Sequence, residues 1–272
     1  MTHRMFEEKH HASIYQKYRF VPPDEVKEVI LQYLDKKKGQ PHVLAVDLGC
    51  GTGQNSRIFA PYFEEVVGID VSENQLQEAR AVPGFPNLTY RAGTAERLPF
   101  PDASVDLLTA ASAAHWFDPE RFLQEANRVL KPRGCMALLG FIDPFVFPHQ
   151  SWGDRLNQIY AESRKALLPY ASSRVAVADG KLQELYDAIT FPEKERVEVQ
   201  VRQLFSVKRI VGFMESLSMY QVYHKAEPQA AVALLKNTTE RIMKEIGASS
   251  TDIEIEVEME YFCILACKPQ CE

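Results

Sequence analysis

The residues best placed to do chemistry begin at Asp47, where Asp47-Leu48-Gly49-Cys50-Gly51-Thr52-Gly53 follows the apolar run Val43-Leu44-Ala45-Val46. Glycines at alternate positions let a turn pass at van der Waals distance from a ligand, because no Cβ intervenes and positive φ carries no penalty. A cofactor containing a nucleoside needs such a surface. The spacing departs from the dinucleotide fingerprint G-x-G-x-x-G/A, whose last position would fall on Gln54 counted from Gly49 and on Ser56 counted from Gly51. A second acid, Asp70, ends the run Glu65-Val66-Val67-Gly68-Ile69 and stands 23 residues after Asp47. A carboxylate about 20 residues beyond such a turn accepts hydrogen bonds from ribose hydroxyls. Asp70 could instead cap the next helix, but Ser72-x-x-Gln75 supplies a capping box of its own. Ribose binding is therefore its expected role.

These groups meet a ligand only if strands carry them to one edge. Val43–Leu48 reads as a first strand, followed by a helix from about Gln54 to Ala60 that Pro61 ends. Glu65–Asp70, Leu88–Ala92, Val105–Ala110 and Cys135–Phe141 are the next four strands. Between them lie a helix beginning near Ser72, the loop Pro83-Gly84-Phe85-Pro86-Asn87, and a helix opened by Asp118-Pro119-Glu120. That opening joins an N-cap acid, proline at the first helical position and an acid in the first turn. The helix should reach about Leu130 and stop at Lys131-Pro132-Arg133-Gly134. Another helix, Pro23 to Lys37, precedes everything with Val26, Val29, Ile30, Tyr33 and Leu34 on one face. Strands alternating with helices predict a doubly wound α/β sheet.

Past Ile142 the rhythm changes. Residues 143–194 carry helical periodicity broken by prolines, with no strand. From Glu195 alternation returns, with Val197, Val199 and Val201 opposite Arg196, Glu198, Gln200 and Arg202. Helices over about 208–222 and 228–246 follow, then a last strand over about 252–267. That strand sets Ile253, Ile255, Val257 and Met259 against Glu254, Glu256, Glu258 and Glu260, an acidic ladder read as a solvated face. With no repeats and no low-complexity linker, 1–272 reads as a single domain. Its parts are an N-terminal lid and helix over 1–40, a core over 42–141, a helical cap with strand six over 143–246, and the final strand over 251–268.

Composition narrows the class. Hydrophobic residues at 46% and charged residues at 25% are the proportions of a folded globular chain. The net charge is −6 and the longest basic run is Lys36-Lys37-Lys38, which disfavours a polynucleotide substrate. Arg4, Glu7, Glu8 and Lys9 crowd the start without an apolar stretch, so no secretory signal is read, and Cys135 to Ile142 is too short to span a bilayer. Five cysteines make no disulfide framework. Cys263, Cys267 and Cys271 recur every fourth residue, but the first two sit in an apolar strand and read as core thiols; no metal site is expected. The expected compartment is the cytoplasm.

The ordered motifs resemble a known family. D-x-G-x-G-x-G at Asp47–Gly53 is the turn that class I S-adenosylmethionine-dependent methyltransferases place after their first strand, and that cofactor has no pyrophosphate to seat on a helix N-terminus. Gly93-Thr94-Ala95-Glu96-Arg97-Leu98-Pro99-Phe100 is similar to the family's G-x-A-E-x-L-P-F stretch. Glu125 to Gly134 resembles E-x-x-R-V-L-K-P-G-G, with Arg133 in place of the first glycine. Within the family, Tyr15-x-x-Tyr18-Arg19-Phe20-Val21-Pro22-Pro23, Ala114-His115-Trp116-Phe117 and Ser216-Leu217-Ser218-x-Tyr220 look like the trans-aconitate methyltransferase group. Phe20, Pro22 and Leu217 depart from its pattern.

The resemblance implies a Rossmann-like sheet of seven strands, mostly parallel with the last antiparallel, and a helical insertion after strand five. It implies S-adenosylmethionine bound by Tyr15, Tyr18, Arg19, Asp47, Gly49, Gly51, Gly53, Asp70, Val71, Thr94, Ala95, Glu96 and Ser112. Met1 to Phe20 would be a mobile lid whose Arg19 pairs with the methionine carboxylate. His115 stands where strand four opens onto the donor methyl, with three roles open to it: general base, hydrogen-bond donor to a substrate oxyanion, or a loop histidine packed on Trp116. The acceptor pocket is expected from His115 and Trp116 below and from Tyr220 and His224, one helical turn apart, in the roof. The expected activity is methyl transfer to a small, acidic metabolite, with carboxylate O-methylation favoured because a carboxylate needs no deprotonation. Transfer to protein or RNA, or cofactor binding without catalysis, are the alternatives.

Overall fold

The computed structural model describes residues 8–270, apart from the side chains of Asp143 and Pro144. Seven strands make one sheet: β1 Leu44–Leu48, β2 Glu65–Asp70, β3 Leu88–Ala92, β4 Val105–Ala111, β5 Leu130–Val146, β6 Glu193–Ser206 and β7 Glu254–Cys267. Their order is β3-β2-β1-β4-β5-β7-β6. The first five are parallel, while β7 runs antiparallel to both β5 and β6. The strand order reverses between β1 and β4, and a crevice opens beyond the carboxyl ends there.

Helices α1 Lys9–Tyr18, α2 Asp24–Lys37, α3 Gln54–Phe59, α4 Glu73–Ala81 and α5 Pro119–Val129 belong to the first half. The second half adds α6 Gly153–Leu167, α7 Ser173–Asp179, α8 Gln183–Ala188, α9 Val207–Glu215, α10 Ser218–Ala226 and α11 Pro228–Ile246. Local chemistry starts them where the sequence suggests. The Ser72 hydroxyl accepts the Gln75 N–H at 3.3 Å, and Asp118 accepts the Arg121 N–H at 3.2 Å. Side chains alternate across the sheet into two cores: Ala45, Leu107 and Ala137 face one, while Val46, Leu108 and Met136 face the other.

Four local expectations change. The helix expected over 208–222 is broken at Ser216-Leu217, where Leu217 is extended and the Ser216 hydroxyl donates back to the Phe213 carbonyl at 2.7 Å. The Ser216 carbonyl also accepts from His11 Nε2 at 2.9 Å and Arg19 Nη2 at 3.3 Å, so tertiary contacts hold the break. β5 starts at Leu130, five residues early, with a register irregularity against β4. Within it Arg133 takes φ +65°, in the left-handed region that favours glycine, while its N–H donates to the Lys268 carbonyl at 3.0 Å. Ile253 precedes β7 and is exposed, though Ile255, Val257 and Met259 are buried as expected. Finally, the acidic ladder is not bare: Arg202 reaches Glu258 at 3.1 Å and Lys181 reaches Glu260 at 3.0 Å.

Candidate functional site

A cavity of about 200 Å³ lies in the crevice at the strand reversal. Gly49 and Gly51 line it, as do Asp70 and Val71 after β2, Thr94, Ala95 and Glu96 after β3, and Ser112, His115 and Trp116 after β4. The three glycines of the turn serve different ends. A Cβ on Gly49 would stand 2.6 Å from Ala113 Cβ, and one on Gly53 would overlap the Tyr90 hydroxyl. Gly51, at φ +53°, would place a Cβ in ordinary contact with Gln75 Oε1 and Tyr15 Cε1, on the cavity side. Gly51 is the close-approach position. Gly53 stays outside the lining, at the left-handed N-cap of α3.

Asp70 presents a fixed hydrogen-bond acceptor to the cavity. Its Oδ2 accepts the Gly51 N–H and its Oδ1 the Ser72 N–H, both at 2.8 Å, which fixes the carboxylate toward the cavity. Burial pushes its pKa up, and those N–H groups together with that of Val71 oppose the shift. Beside it the Gln75 side chain is buried, lines the cavity, and has neither amide atom hydrogen-bonded among the described residues. Asp47 lies deeper. Asn55 Nδ2 donates to its Oδ1 at 2.8 Å and Ser56 Oγ to its Oδ2 at 2.5 Å, so it secures the start of α3 beneath the turn. Burial raises its carboxyl to about 6.

A smaller chamber of about 50 Å³ adjoins the cavity and shares Tyr15, Arg19, Gly49 and Ser112 with it. Asp47, Gln54 and Asn55 complete its polar wall. Arg19 Nε, Gln54 Nε2 and Asn55 Oδ1 are buried here without hydrogen-bond partners among the described residues. Such atoms cost folding free energy unless a ligand or water completes them. The Arg19 guanidinium lies over the rings of Tyr15 and Phe213, with centroids at 4.5 and 4.9 Å. Desolvation lowers its pKa without discharging it. Ser112, between the chambers, takes φ +51°, a strained value for a residue with a side chain, and its N–H donates to the Leu139 carbonyl at 2.8 Å. One chamber thus suits a zwitterion and the other a ribose.

The other half of the cavity is largely apolar. Trp116, Phe141, Val175, Leu182, Leu217 and Met219 form much of it. His115 faces this half, its ring 4.8 Å from that of Trp116. Desolvation, with Arg19 and Arg174 nearby, pushes the imidazole down to about 3. Arg164 of α6 and Asp179 of α7 close the rim as an ion pair at 3.3 Å.

Most expected site residues converge here, but Tyr18, Gly53, Tyr220 and His224 do not line the cavity, and Asp47 lines only the smaller chamber. Tyr18 turns aside and packs over Gly212 of α9, where a Cβ would overlap its ring. Tyr220 is 3% exposed among core residues, and His224 is exposed on α10. The break at Ser216 is the reason. It directs the N-terminal residues of α10, Leu217, Ser218 and Met219, into the cavity and turns the next helical turn away. Of the segment expected to be a mobile lid, Lys9–Tyr18 is a helix, α1, packed on α4 and α9, and Met1–Glu7 lie outside the described residues. Sequence reasoning missed Gln54 and Asn55, although they follow the glycine turn directly, and it missed Gln75, one residue of the capping box. Arg164, Asp179 and Leu182 carried no signal, because helical periodicity does not say which face meets a cavity.

Residues 46–138 match a family model described as a methyltransferase domain. A Dictyostelium discoideum protein that carries a methyltransferase name is 26% identical over 250 residues, covering 89% of this chain and 88% of its own. A Saccharomyces cerevisiae protein named as an S-adenosylmethionine-dependent methyltransferase is 30% identical over 144 residues, 51% of this chain and 47% of its own. A solved structure from Anaeromyxobacter dehalogenans, named as a type II methyltransferase, superposes with a TM-score of 0.71 at 23% identity, covering 89% of this chain and 97% of that one. That likeness speaks for the fold.

Proposed function

As a class I S-adenosylmethionine-dependent methyltransferase this chain must select an acceptor, and we propose that the acceptor is a small acidic metabolite methylated on a carboxylate oxygen. The buried polar atoms fit the cofactor: Asp70 would hold the ribose hydroxyls, and Arg19, with Gln54 and Asn55, the amino-acid end. When bound, S-adenosylmethionine supplies an electrophilic methyl group. The protein's part is alignment and exclusion of water, which contribute about 7–11 kcal/mol in favourable cases. Gly51 would admit the ligand to the turn, and Phe141, Leu217 and Met219 give the cavity an apolar lining that disfavours water.

The observation that carries the choice of acceptor is the set of bases facing the cavity. Among the described residues Asp70 and Glu96 already accept backbone N–H groups, and Asp179 is paired with Arg164. His115, buried near Arg19 and Arg174, is too weakly basic to take a proton from a phenol of pKa ~10. A neutral imidazole can donate to an oxyanion. A carboxylate is already ionised at neutral pH and so needs no base from the cavity.

The test uses S-adenosylmethionine labelled in the methyl group and a fractionated extract. Carboxyl methyl esters release volatile methanol in mild alkali, whereas N-methyl groups and methyl ethers do not. The expected label is in small molecules and alkali-labile. Alkali-stable label, or label in protein or RNA fractions, would replace this reading.

A further inference from the structure

Far from the cavity, two thiols face each other at the amino end of β5. Cys135 of β5 and Cys267 of β7 are register partners in the antiparallel pair, and both are buried. The Lys268 N–H donates to the Gly134 carbonyl at 2.9 Å, and the Arg133 N–H donates to the Lys268 carbonyl at 3.0 Å. Those bonds make the adjacent rung, Gly134 with Lys268, the hydrogen-bonded one, with Arg133 as the bulged residue. Hydrogen-bonded and open rungs alternate in an antiparallel ladder. Cys135 and Cys267 therefore occupy an open rung, where Cα atoms lie about 4.5 Å apart and side chains are closest. A disulfide spans Cα separations of about 4.4–6.8 Å.

The sulfurs converge as the backbone requires. Each Sγ lies 3.6 Å from the same Arg133 carbonyl oxygen. The two are not alike: a hydrogen bond from the Cys135 thiol lowers the Cys267 thiol from its ordinary value, burial and Glu193 oppose the shift, and Arg133 and Lys37 add to it. Cys50 and Cys263 are also buried, and desolvation pushes both of their thiols up. Pro132 and Arg133, at the bulge beside the pair, are exposed.

We propose that Cys135 and Cys267 form a reversible cross-strand disulfide when the protein meets a two-electron thiol oxidant such as hydrogen peroxide. The Cys267 thiolate attacks one peroxide oxygen, the O–O bond breaks, and the departing hydroxide takes up a proton to become water. The Cys135 sulfur then attacks the Cys267 sulfenic acid, the S–S bond forms, the S–O bond breaks, and a second water leaves. Two thiols are oxidised by two electrons in all, and one peroxide becomes two waters. The bond would tie the last strand to the one whose far end supplies Leu139, Gly140 and Phe141 to the cavity.

Peptide mapping tests this on the full chain. Reduced protein is treated with hydrogen peroxide, blocked with N-ethylmaleimide and digested without reductant. The expected product is one linked pair of peptides, carrying Cys135 and Cys267 and lighter by two hydrogens than their sum. Dithiothreitol should reverse it, and Cys135→Ser should abolish it. The melting temperature should rise by several degrees on oxidation and fall back on reduction. Alkylated Cys135 and Cys267 after oxidation, a link to Cys271 instead, or sulfinic acid at Cys267 would each overturn the proposal. The mapping of unsubstituted protein decides it even if the serine variant misfolds.

Discussion

In the proposed reading Arg19 would hold only the amino-acid end of the cofactor, so its removal should separate the two ends. Arg19→Met keeps an apolar stem against Tyr15 and Phe213. It loses the one cation that lines the smaller chamber among the described residues, and a bond to the Ser216 carbonyl that is long, at 3.3 Å. A hydrogen bond to a charged group contributes about 1.5–3 kcal/mol. S-adenosylhomocysteine should therefore bind Arg19→Met on the order of 10- to 150-fold more weakly. 5′-Methylthioadenosine carries the same nucleoside without the amino-acid end, and it should bind both proteins alike. Calorimetry with the two ligands side by side measures this. Equal losses would mean that Arg19 acts by seating α1 on the Ser216 carbonyl, and undiminished S-adenosylhomocysteine binding would remove Arg19 from the site.

Asp70→Ala should weaken both ligands by a comparable amount, about 1.5–3 kcal/mol, since both keep the ribose; calorimetry that spares either one would refute the assignment. Gly51→Ala costs about 1–2 kcal/mol of stability at its positive φ and should sharply reduce S-adenosylmethionine binding while the circular dichroism spectrum is retained. His115→Ala should lower turnover and leave donor affinity nearly unchanged, and lost donor affinity with unaltered saturated turnover would make His115 a cofactor ligand. The folded His115 value, about 3, lies below the unfolded value of ~6.5. Its contribution is whole above pH ~6.5 and erodes as pH falls toward the folded value, so His115→Gln should lose less stability than the wild type between about pH 6 and 4 in denaturant titrations. Amide exchange across Lys9–Tyr18 should slow when S-adenosylhomocysteine is added, and equal exchange with and without it would rule out a lid.

Much of the sheet was legible because its signals are local. β2 and β3 fall on Glu65–Asp70 and Leu88–Ala92 as read, each an apolar or β-branched run with turn residues nearby. Ser72 and Asp118 cap as read, since capping needs only neighbours in sequence. The roof was not legible. Spacing placed Tyr220 and His224 one turn apart, but the face they share is set by the break at Ser216, which His11 and Arg19 hold from 205 and 197 residues away. Tyr18 went astray for a related reason: the bare α-carbon of Gly212 gives its ring a seat that nothing near Tyr18 in the chain foretells. Arg133 shows the converse, an L-residue tolerated at positive φ because its N–H and flanking strands hold it there.

The glycine turn also bears on how such chains diverge. Gly49 and Gly53 are held by Ala113 and Tyr90, neighbours that belong to the protein itself. Selection for folding alone would preserve both of them in a descendant that had lost its cofactor. Gly51 meets only ordinary contacts within the protein, so apart from its positive φ the protein itself offers little against a side chain there, and in the proposed reading the ligand would supply the rest. Among proteins with this turn, drift at the middle glycine is the mark to watch for lost catalysis, while the outer two report that the fold survives.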